Sequence, residues 1–441
     1  MQLIFPGNSF QTLRDAMLSF ASETCAILFA IEAKERFIVI ERHVAPAGAY
    51  TVRDNLNAQL SPEFLTPLIK RARDNAFTVI FCHTHPTEVG RPSFSVVDDE
   101  GEGHLAAFLK RRIPDLRHLA LVLSPEGVSA RLLGEQELVR VLEIGRDVRT
   151  LSASVHGHED LERWDRQVRA FGRNGQAILR GANVAVVGCG GTGSVVAQQL
   201  AHLGISTFTL IDPDHVEASN LNRVVGASSR DVGRAKVEVT AALIKELDPR
   251  SKVTALIGDV RDPEIAGQLT GMDVIFACTD SHASRAIINQ IAYQYVIPTF
   301  DVGISIQATN GHVSRITGRS QMLAPGLGCL VCGNALDWAE VRRELQTDAE
   351  RSLDHYIIGD VEPQPAVISL NSTMSSLTVT MFMAAFAGIP ANARLQFYDG
   401  VDGRVRSAVV KPSPTCVVCS SAGAYAKPDR WPLPTWGRKG G

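Results

Sequence analysis

The chain has 441 residues, of which 45% are hydrophobic and 21% are charged, and its formal net charge is −3. These values are ordinary for a globular protein of two or three domains, each of roughly 100–200 residues. The weak net charge gives no reason to expect nucleic acid or a membrane surface as a partner. No signal-peptide pattern is visible at the N-terminus, and the most apolar helix candidate, residues 377–389, is too short to span a bilayer, so it is predicted to be a core or dimer-interface helix. A cytoplasmic location is therefore expected.

Residues 1–150 are predicted to form a first domain of mixed α and β structure. Its predicted elements are a helix at 10–20, strands at 25–31 and 36–40, a proline-interrupted helical pattern at 54–75 and a strand at 78–82. Directly after the last strand comes His83-Thr84-His85-Pro86, and Ser95-Val96-Val97-Asp98 follows. Two histidines two residues apart at an extended strand end point in the same direction, so both can reach one Zn²⁺. A carboxylate from a following helix start can complete a catalytic site with three ligands.

This pattern resembles the JAB/JAMM metalloproteases, which remove ubiquitin-like proteins from their conjugates. The resemblance implies zinc ligands at His83, His85 and Asp98. It also implies that Glu23 is the general base and that Ser95 helps to stabilise the oxyanion.

The spacing departs from the family pattern, because the nine residues 86–94 between His85 and Ser95 are two more than expected. Ser93 is the alternative for the family's serine, although no aspartate follows it three residues later. The other interpretation of the domain is an inactive scaffold or a module that binds ubiquitin-like proteins. Three nearby carboxylates are predicted to be solvated surface groups: Glu41, Asp99 and Glu100.

A polar linker is predicted at 151–160, followed by a second domain at 161–425. Its apolar run 184–187 predicts a buried strand, a glycine turn then opens a helical pattern at 195–203, and a second strand at 207–211 ends on Asp212. This is the strand–turn–helix–strand–acid unit of a nucleotide-binding α/β fold, in which helix N–H groups face phosphate and the acid binds a ribose hydroxyl. The turn contributes four glycines: Gly188, Gly190, Gly191 and Gly193.

The residues after Asp212 favour ATP over NAD, because a basic and amide-rich segment suits a cleaved triphosphate. This segment resembles the adenylation domain of ubiquitin-activating enzymes and their ThiF/MoeB relatives over roughly residues 161–420. The resemblance implies a phosphate-binding group formed by Asn220, Arg223 and Lys236. It also implies Mg²⁺ at Asp280 and a homodimer in which Arg166 reaches the γ-phosphate in the partner subunit. Cations are needed because attack of a carboxylate on the α-phosphate brings two anions together.

Two CxxC pairs, Cys329/Cys332 and Cys416/Cys419, fit a structural zinc site with four cysteines better than disulfides. No cysteine occurs between residues 333 and 375, where ubiquitin-activating enzymes carry their thioester-forming cysteine. The adenylate is then expected either to pass directly to a downstream acceptor or to form an oxyester on a hydroxyl. Ser352, in the charged part of the loop, is the candidate hydroxyl, and Ser369 and Ser372 lie at the following helix start, but each of the three is better interpreted as a surface or capping residue. Residues 426–441 are predicted to form a flexible tail.

Together these features predict an α/β fusion of a JAB/MPN-like α+β domain with a Rossmann-like ThiF/ubiquitin-activating domain. Such fusions resemble those of bacterial ubiquitin-like conjugation operons, for which a role in antiphage defence is implied. The implied partners are a ubiquitin-like β-grasp protein and a ubiquitin-conjugating-type enzyme. One alternative is a sulfur-carrier adenylyltransferase with a carrier-processing peptidase, and the missing loop cysteine fits it well. A non-catalytic scaffold that binds ubiquitin-like proteins is the other, and an NAD oxidoreductase is least favoured.

Overall fold

A computed structural model describes residues 1–54, 58–152, 162–346 and 365–436, and the chain divides into two compact units. The first unit contains the described residues up to 152 together with 426–429. The second contains the described residues 162–425 together with 430–436.

The first unit is built on an eight-stranded mixed sheet. Its described elements are β1 (Gln2–Pro6), α1 (Ser9–Met17), β2 (Cys25–Ala33), β3 (Arg36–Val44), β4 (Tyr50–Arg53), β5 (Ala58–Leu60), α2 (Pro62–Asp74), β6 (Thr78–Thr84), α3 (Val96–Arg112), β7 (Leu119–Leu123), β8 (Val128–Leu132), β9 (Arg140–Ile144) and β10 (Val148–Thr150). The order in the sheet is β10-β9-β1-β3-β2-β6-β7-β8, and β4 and β5 form a separate ladder.

Both faces of this sheet are buried, which explains why its central strands are almost continuously apolar. Successive residues of a strand point to opposite faces. Accordingly, Leu28 packs in one apolar cluster with Leu13 and Met17 of α1. Phe29 packs in another with residues of α2 and α3.

The helical pattern predicted at 54–75 begins later than expected. Ser61 precedes the helix, and its hydroxyl accepts a hydrogen bond from the Phe64 amide, while Pro62 occupies the first helical position. Both features specify a helix start. Residues 58–60 lie instead in the short β4–β5 ladder.

The second unit contains another eight-stranded sheet. Its described strands and α-helices are α4 (Asp165–Arg180), β11 (Asn183–Val187), α5 (Gly191–Leu203), β12 (Thr207–Ile211), α6 (Lys236–Leu247), β13 (Lys252–Leu256), α7 (Pro263–Leu269), β14 (Val274–Ala277), α8 (His282–Gln294), β15 (Thr299–Thr309), β16 (His312–Leu323), α9 (Trp338–Leu345), α10 (Ile368–Ala387), β17 (Leu395–Asp399) and β18 (Arg404–Ser407). The strand order is β13-β12-β11-β14-β15-β16-β17-β18. The first five of these are parallel and the last three extend the sheet antiparallel, so the expected Rossmann-like sheet is present.

The strand order reverses direction at β11, because the chain first builds outward through β12 and β13 and then returns to add β14 on the other side. Ligands of open α/β sheets bind at such a switch point, outside the carboxyl ends of the strands. At this edge β11 leads into the glycine turn, β12 into Asp212 and β14 into the segment that contains Asp280.

Helix α10 covers this sheet from one face. The ring of Phe382 contacts the rings of Phe276 and Phe300, with centroids 5.5 and 5.7 Å apart. The apolar segment predicted at 377–389 is thus a core element, and no helix among the described residues is long and apolar enough to cross a membrane.

Candidate functional site

The glycine turn of the second unit is closely packed on one side and open on the other. A Cβ atom at Gly188, where φ is +90°, would lie 2.7 Å from the Cys278 carbonyl oxygen, and one at Gly193 would lie 1.7 Å from the Gly188 oxygen. A Cβ at Gly190 would meet nothing within 4 Å. Gly190 is the residue before α5, whose first-turn N–H groups have no partner within the helix. The turn therefore presents an open surface of backbone donors, which suits the phosphates of a nucleotide.

Asp212 is held against this turn by backbone hydrogen bonds. Its carboxylate is buried and accepts from the Cys189 amide at 2.6 Å and from the Asp214 amide at 2.8 Å. Burial raises the pKa of Asp212, and the two amide donors oppose that shift. A fixed carboxylate at the end of β12 is suited to accept a hydrogen bond from a ribose hydroxyl.

Arg223 lies beside the N-terminus of α5. A Cβ at Gly191 would lie 2.3 Å from the Asn371 Nδ2 atom of α10 and 3.2 Å from the Arg223 Cγ and Cδ atoms, so the Asn371 amide and the arginine stem together fill the space that the glycine leaves. Its guanidinium donates to the Ser219 carbonyl at 2.7 Å, and the Ser194 hydroxyl of α5 accepts from the Val225 amide at 3.0 Å. The glycine turn and the basic segment predicted to accompany it are thus brought together.

The other two predicted phosphate ligands have partners within the protein. Lys236 Nζ is 2.7 Å from a carboxylate oxygen of Asp214, whose amide donates to Asp212. The Asn220 side chain is buried and closes its own turn by accepting from the Glu217 amide at 3.3 Å. Lys236 therefore lies in the same network as Asp212, whereas the Asn220 amide is engaged locally.

Asp280 and Arg166 are both exposed. Within the described parts of the chain, neither side chain makes a hydrogen bond or an ion pair. Asp280 follows β14 at the switch-point edge, so its carboxylate is available to a cation such as Mg²⁺. Arg166 lies on α4, and its predicted role in a partner subunit remains a prediction.

Sequence reasoning missed a buried ion-pair cluster next to this edge. Asp301 of β15 is fully buried and lies opposite Ala277, the last residue of β14. Its carboxylate is 2.5 Å from Arg319 and 3.3 Å from Arg285. The available signal was a single acidic residue inside an apolar strand, since a buried charge requires a partner.

The four cysteines of the two CxxC pairs converge, as predicted. Cys329 Sγ is 3.6 Å from Cys416 Sγ, and Cys332 Sγ is 3.4 Å from Cys419 Sγ. All four sulfurs lie within 4.8 Å of one another. Tetrahedral zinc with Zn–S bonds of about 2.3 Å requires sulfurs about 3.8 Å apart, so the donor set fits Zn²⁺.

In the first unit His83, His85 and Asp98 also converge. The two histidine Nε2 atoms are 3.2 Å apart, and the Asp98 oxygens lie 3.1 Å from His83 and 3.7 Å from His85. Zinc bonds of about 2.0–2.1 Å require ligand atoms about 3.3 Å apart, so this cluster also fits the metal.

The structure distinguishes between the two candidate serines. Ser95 caps α3, and its hydroxyl donates to Asp98 at 2.8 Å while accepting from the Asp98 amide at 3.1 Å. Ser93 instead donates to Glu88. Ser95, and not Ser93, is therefore the serine that bonds to the predicted zinc ligand Asp98. Its hydroxyl proton points to the Asp98 carboxylate.

Glu23 is buried beside the same cluster. Burial raises its pKa, while the charges of His83 and His85 lower it. Arg53 fixes the backbone here by donating to the Glu23 carbonyl at 2.8 Å and to the Thr24 hydroxyl at 2.9 Å. A carboxylate close to three metal-binding groups suits the predicted general base.

Of the three carboxylates predicted to be surface groups, Asp99 and Glu100 are exposed and Glu41 is partly buried. The exposed Asp99 pairs with the buried Arg131 at 2.6 Å, and Arg131 also pairs with Glu102 at 2.9 Å. The pair fixes α3, the helix that carries Asp98.

Ser352 and most of the predicted linker lie outside the described residues. Ser369 and Ser372 lie on α10 and line an open groove of about 450 Å³ with Thr373 and Ser376. Of the predicted tail, residues 430–436 belong to the second unit, where they pack on α8. The Trp431 and Pro432 carbonyls accept from Gln294 and Gln290, each at 2.8 Å.

Residues 164–418, more than half of the chain, match the ThiF family. The chain belongs to this family. The matched range of this ThiF-family chain includes the glycine turn, Asp212, Arg223, Lys236, Asp280 and Arg166.

The ThiF-family chain is 28% identical over 263 residues to the molybdopterin-synthase adenylyltransferase of Escherichia coli strain K12. This alignment covers 59% of the present chain and 97% of the relative. The chain is 27% identical over 267 residues to the SAMP-activating enzyme E1 of Haloferax volcanii, covering 60% and 90% respectively. Among solved structures, that of E. coli MccB with MccA-N7isoASN superposes with a TM-score of 0.48 and 19% sequence identity. The superposition covers 60% of the present chain and 76% of the MccB chain.

Proposed function

We propose that the second unit adenylates the C-terminal carboxylate of a small β-grasp protein of the ubiquitin-like or sulfur-carrier kind, with ATP as co-substrate. The observation that carries this proposal is the open glycine turn at the switch point, with the Arg223 stem against Gly191. The named activities of the E. coli and H. volcanii relatives support it, since one is an adenylyltransferase and the other an activating enzyme.

In this reaction an oxygen of the substrate carboxylate attacks the α-phosphorus of ATP, and pyrophosphate leaves as the acyl-adenylate forms. The amides at the start of α5, with Arg223 and Lys236, would bind the phosphates and stabilise the developing negative charge. Asp212 would hold the ribose, and Asp280 would bind Mg²⁺, which neutralises charge on the triphosphate. Arg166 would supply a further cation across a homodimer, which suits its exposed position on α4.

The sulfur-carrier alternative is better supported than the conjugation hypothesis. The E. coli relative is named for molybdopterin synthase, and residues 333–375 contain no cysteine that could form a thioester. Both observations favour direct transfer of the acyl group from the adenylate to a downstream acceptor. The conjugating-type partner, the antiphage role and the oxyester on Ser352 remain hypotheses from the sequence.

The test is exchange of labelled pyrophosphate into ATP, with and without a β-grasp protein that ends in Gly-Gly. Exchange should depend on that protein and should fall by at least ~100-fold in Asp280→Ala. Asp115→Ala, an exposed aspartate of the first unit, is the matched control and should exchange like the wild type. Absence of exchange with several such proteins, or full activity of Asp280→Ala, would contradict the proposal.

A second candidate function belongs to the first unit, a zinc-dependent peptidase that trims or releases the same carrier. The convergence of His83, His85 and Asp98 beside the buried Glu23 favours it. Zinc in this cluster would polarise the scissile carbonyl and lower the pKa of water. Glu23 would accept the proton of the attacking water, and Ser95 would keep Asp98 in place.

The peptidase is tested with a carrier protein extended beyond its Gly-Gly end. The wild type with Zn²⁺ should cleave after the second glycine, and Glu23→Gln should lose about 100- to 10,000-fold in rate while retaining its zinc. The Glu23 variant is preferable to chelation, because a chelator also strips the four-cysteine cluster. Cleavage by Glu23→Gln at the wild-type rate would overturn this assignment.

A further inference from the structure

Glu88 contacts His85 at the ring nitrogen that faces away from His83 and Asp98. Its Oε2 atom is 2.7 Å from His85 Nδ1, whereas the His85 Nε2 atom faces His83 and Asp98. Its other oxygen, Oε1, accepts from the Ser93 amide at 3.1 Å and from the Ser93 hydroxyl at 3.3 Å. Both carboxylate oxygens are therefore engaged.

This hydrogen bond determines the tautomer of His85. A carboxylate only accepts, so the proton of a neutral imidazole that bonds to it must lie on Nδ1. The lone pair is then left on Nε2, the nitrogen that points into the cluster. Carboxylates that fix metal-binding histidines in this way increase the basicity of the ligand and restrict its ring orientation.

We propose that Glu88 is a positioning residue for zinc, which sets the tautomer and orientation of His85. The inference rests on the metal site proposed for the first unit. Glu88 acts through His85 and does not itself bind the metal, because its oxygens are bonded to Nδ1 and to Ser93.

The same carboxylate accounts for the unusual spacing between His85 and Ser95. By bonding to His85 and to Ser93, Glu88 closes the segment 85–93 into a fixed loop. The Ser124 hydroxyl donates to the Gly90 carbonyl and the Ser129 hydroxyl to the Pro92 carbonyl, each at 2.6 Å. The two additional residues are thus accommodated in a tethered loop, and Ser95 and Asp98 still reach the histidines.

The competing interpretation is an ordinary, partly exposed ion pair, since the side chains of His85 and Glu88 are 17% and 30% exposed. Such a pair would contribute at most about 1 kcal/mol to folding and nothing specific to zinc. The two interpretations differ in what the variant loses. If Glu88 is a positioning residue, replacing it lowers the affinity for zinc. If it is only a surface ion-pair partner, replacing it changes at most the stability of the metal-free protein.

The experiment counts zinc per chain against free Zn²⁺ in chelator-buffered dialysis. The wild type should bind two, one in the four-cysteine cluster and one in the histidine cluster, and His85→Ala should bind one. Glu88→Ala should raise the free Zn²⁺ needed to fill the second site by about 10- to 100-fold. Glu88→Gln should need a free Zn²⁺ concentration between those of the wild type and Glu88→Ala, because its amide oxygen still accepts from Nδ1–H but carries no charge.

Glu41→Ala is the matched control, because Glu41 also bonds to a histidine of the same unit, His43, at 3.2 Å. Glu41 pairs with Phe29 of β2, whereas His83 pairs with Cys25, about 13 Å further along that strand. The zinc titration of Glu41→Ala should therefore match that of the wild type. Thermal unfolding of the metal-free proteins, followed by circular dichroism, should be unchanged in both Glu88 variants.

Each result has a separate meaning. If the wild type binds a single zinc, the metal site itself is wrong and the proposed peptidase falls with it. If the wild type binds two and both Glu88 variants fill the second site at the wild-type zinc concentration, the metal site stands and the role of Glu88 is refuted. Loss of zinc affinity accompanied by an equal loss of metal-free stability would also refute it.

Discussion

The glycine turn offers two substitutions that separate folding from nucleotide binding. Gly193→Ala places a methyl group 1.7 Å from the Gly188 carbonyl oxygen, while Gly190→Ala places one in open space above the start of α5. The backbone of Gly190, at φ −75° and ψ −155°, is accessible to alanine. We therefore expect the first variant to lose stability and the second to lose ATP binding alone.

The magnitudes follow from this geometry. Cβ contacts under 3.0 Å essentially never occur, so at Gly193 the backbone must move by at least about 1.3 Å. Overpacking of this kind costs about 3 kcal/mol, and the preference of a helix for alanine over glycine returns about 1 kcal/mol, which leaves a loss of about 2 kcal/mol. At 2–4 °C per kcal/mol, the midpoint of unfolding should fall by about 4–8 °C. Gly190→Ala should be neutral or more stable by about 0.4–1 kcal/mol.

The four tryptophans provide a selective probe of unfolding, because Trp164, Trp338, Trp431 and Trp436 all belong to the second unit. Their fluorescence on heating therefore reports the unit that contains the glycine turn. ATP affinity is measured separately by equilibrium dialysis, in which Gly190→Ala should bind at least about tenfold more weakly, equivalent to ~1.4 kcal/mol. A Gly190→Ala protein with wild-type ATP affinity would refute the proposal that phosphates lie over this turn.

Three further outcomes are expected for the second unit. Cys416→Ser should remove the zinc of the four-cysteine cluster and about 4 kcal/mol of stability, measured by metal content and tryptophan fluorescence, and a stable zinc-free variant would contradict a structural role. Asp301→Asn leaves Arg285 and Arg319 without their carboxylate and should cost about 3–5 kcal/mol in urea unfolding, whereas an unchanged midpoint would count against a buried ion pair. Arg223→Ala should lower pyrophosphate exchange by about 100- to 1,000-fold and should cost only about 1 kcal/mol of stability, through the lost Ser219 hydrogen bond and the contact with Gly191, and the exposed Arg230→Ala should leave exchange unchanged.

The nucleotide-binding unit was predictable because its determinants are local. About 30 consecutive residues contain an apolar run, a glycine turn, a helical pattern and a terminal acid. Each of these features is required by the conformation or the ligand contact at its place in a strand–turn–helix–strand unit. The four-cysteine cluster was predictable for a different reason. Its two CxxC pairs are 87 residues apart in the sequence. Because Zn²⁺ takes four thiolates, two such pairs in one chain predict a shared zinc site even when the fold of the intervening residues is unknown.

The remaining features are contacts that the sequence pattern does not single out. Glu88 lies only three residues after His85, and a hydrogen bond from its amide to the His85 carbonyl at 3.3 Å closes the turn between them. Its side chain is also held by Ser93, which donates to its other oxygen. Asp99 is exposed, as predicted, but its partner Arg131 is 32 residues away on another element, so the ion pair could not be inferred from spacing.

Two aspartates of the second unit show how the environment assigns chemistry that residue type leaves open. Asp212 is buried, and both of its oxygens already accept backbone hydrogen bonds, so it is pre-organised as a fixed acceptor for a neutral hydroxyl. Asp280 is exposed and, within the described chain, has neither a hydrogen bond nor an ion pair, so its charge is available to a hydrated cation. If the two roles were exchanged, Mg²⁺ would have to bind Asp212, whose carboxylate already accepts two backbone hydrogen bonds. The ribose hydroxyl would then have to bind Asp280, whose exposed side chain is not held in one orientation by a hydrogen bond to the described residues. The solvation and hydrogen bonding of the two carboxylates therefore favour the proposed assignment of Asp212 to ribose and Asp280 to Mg²⁺.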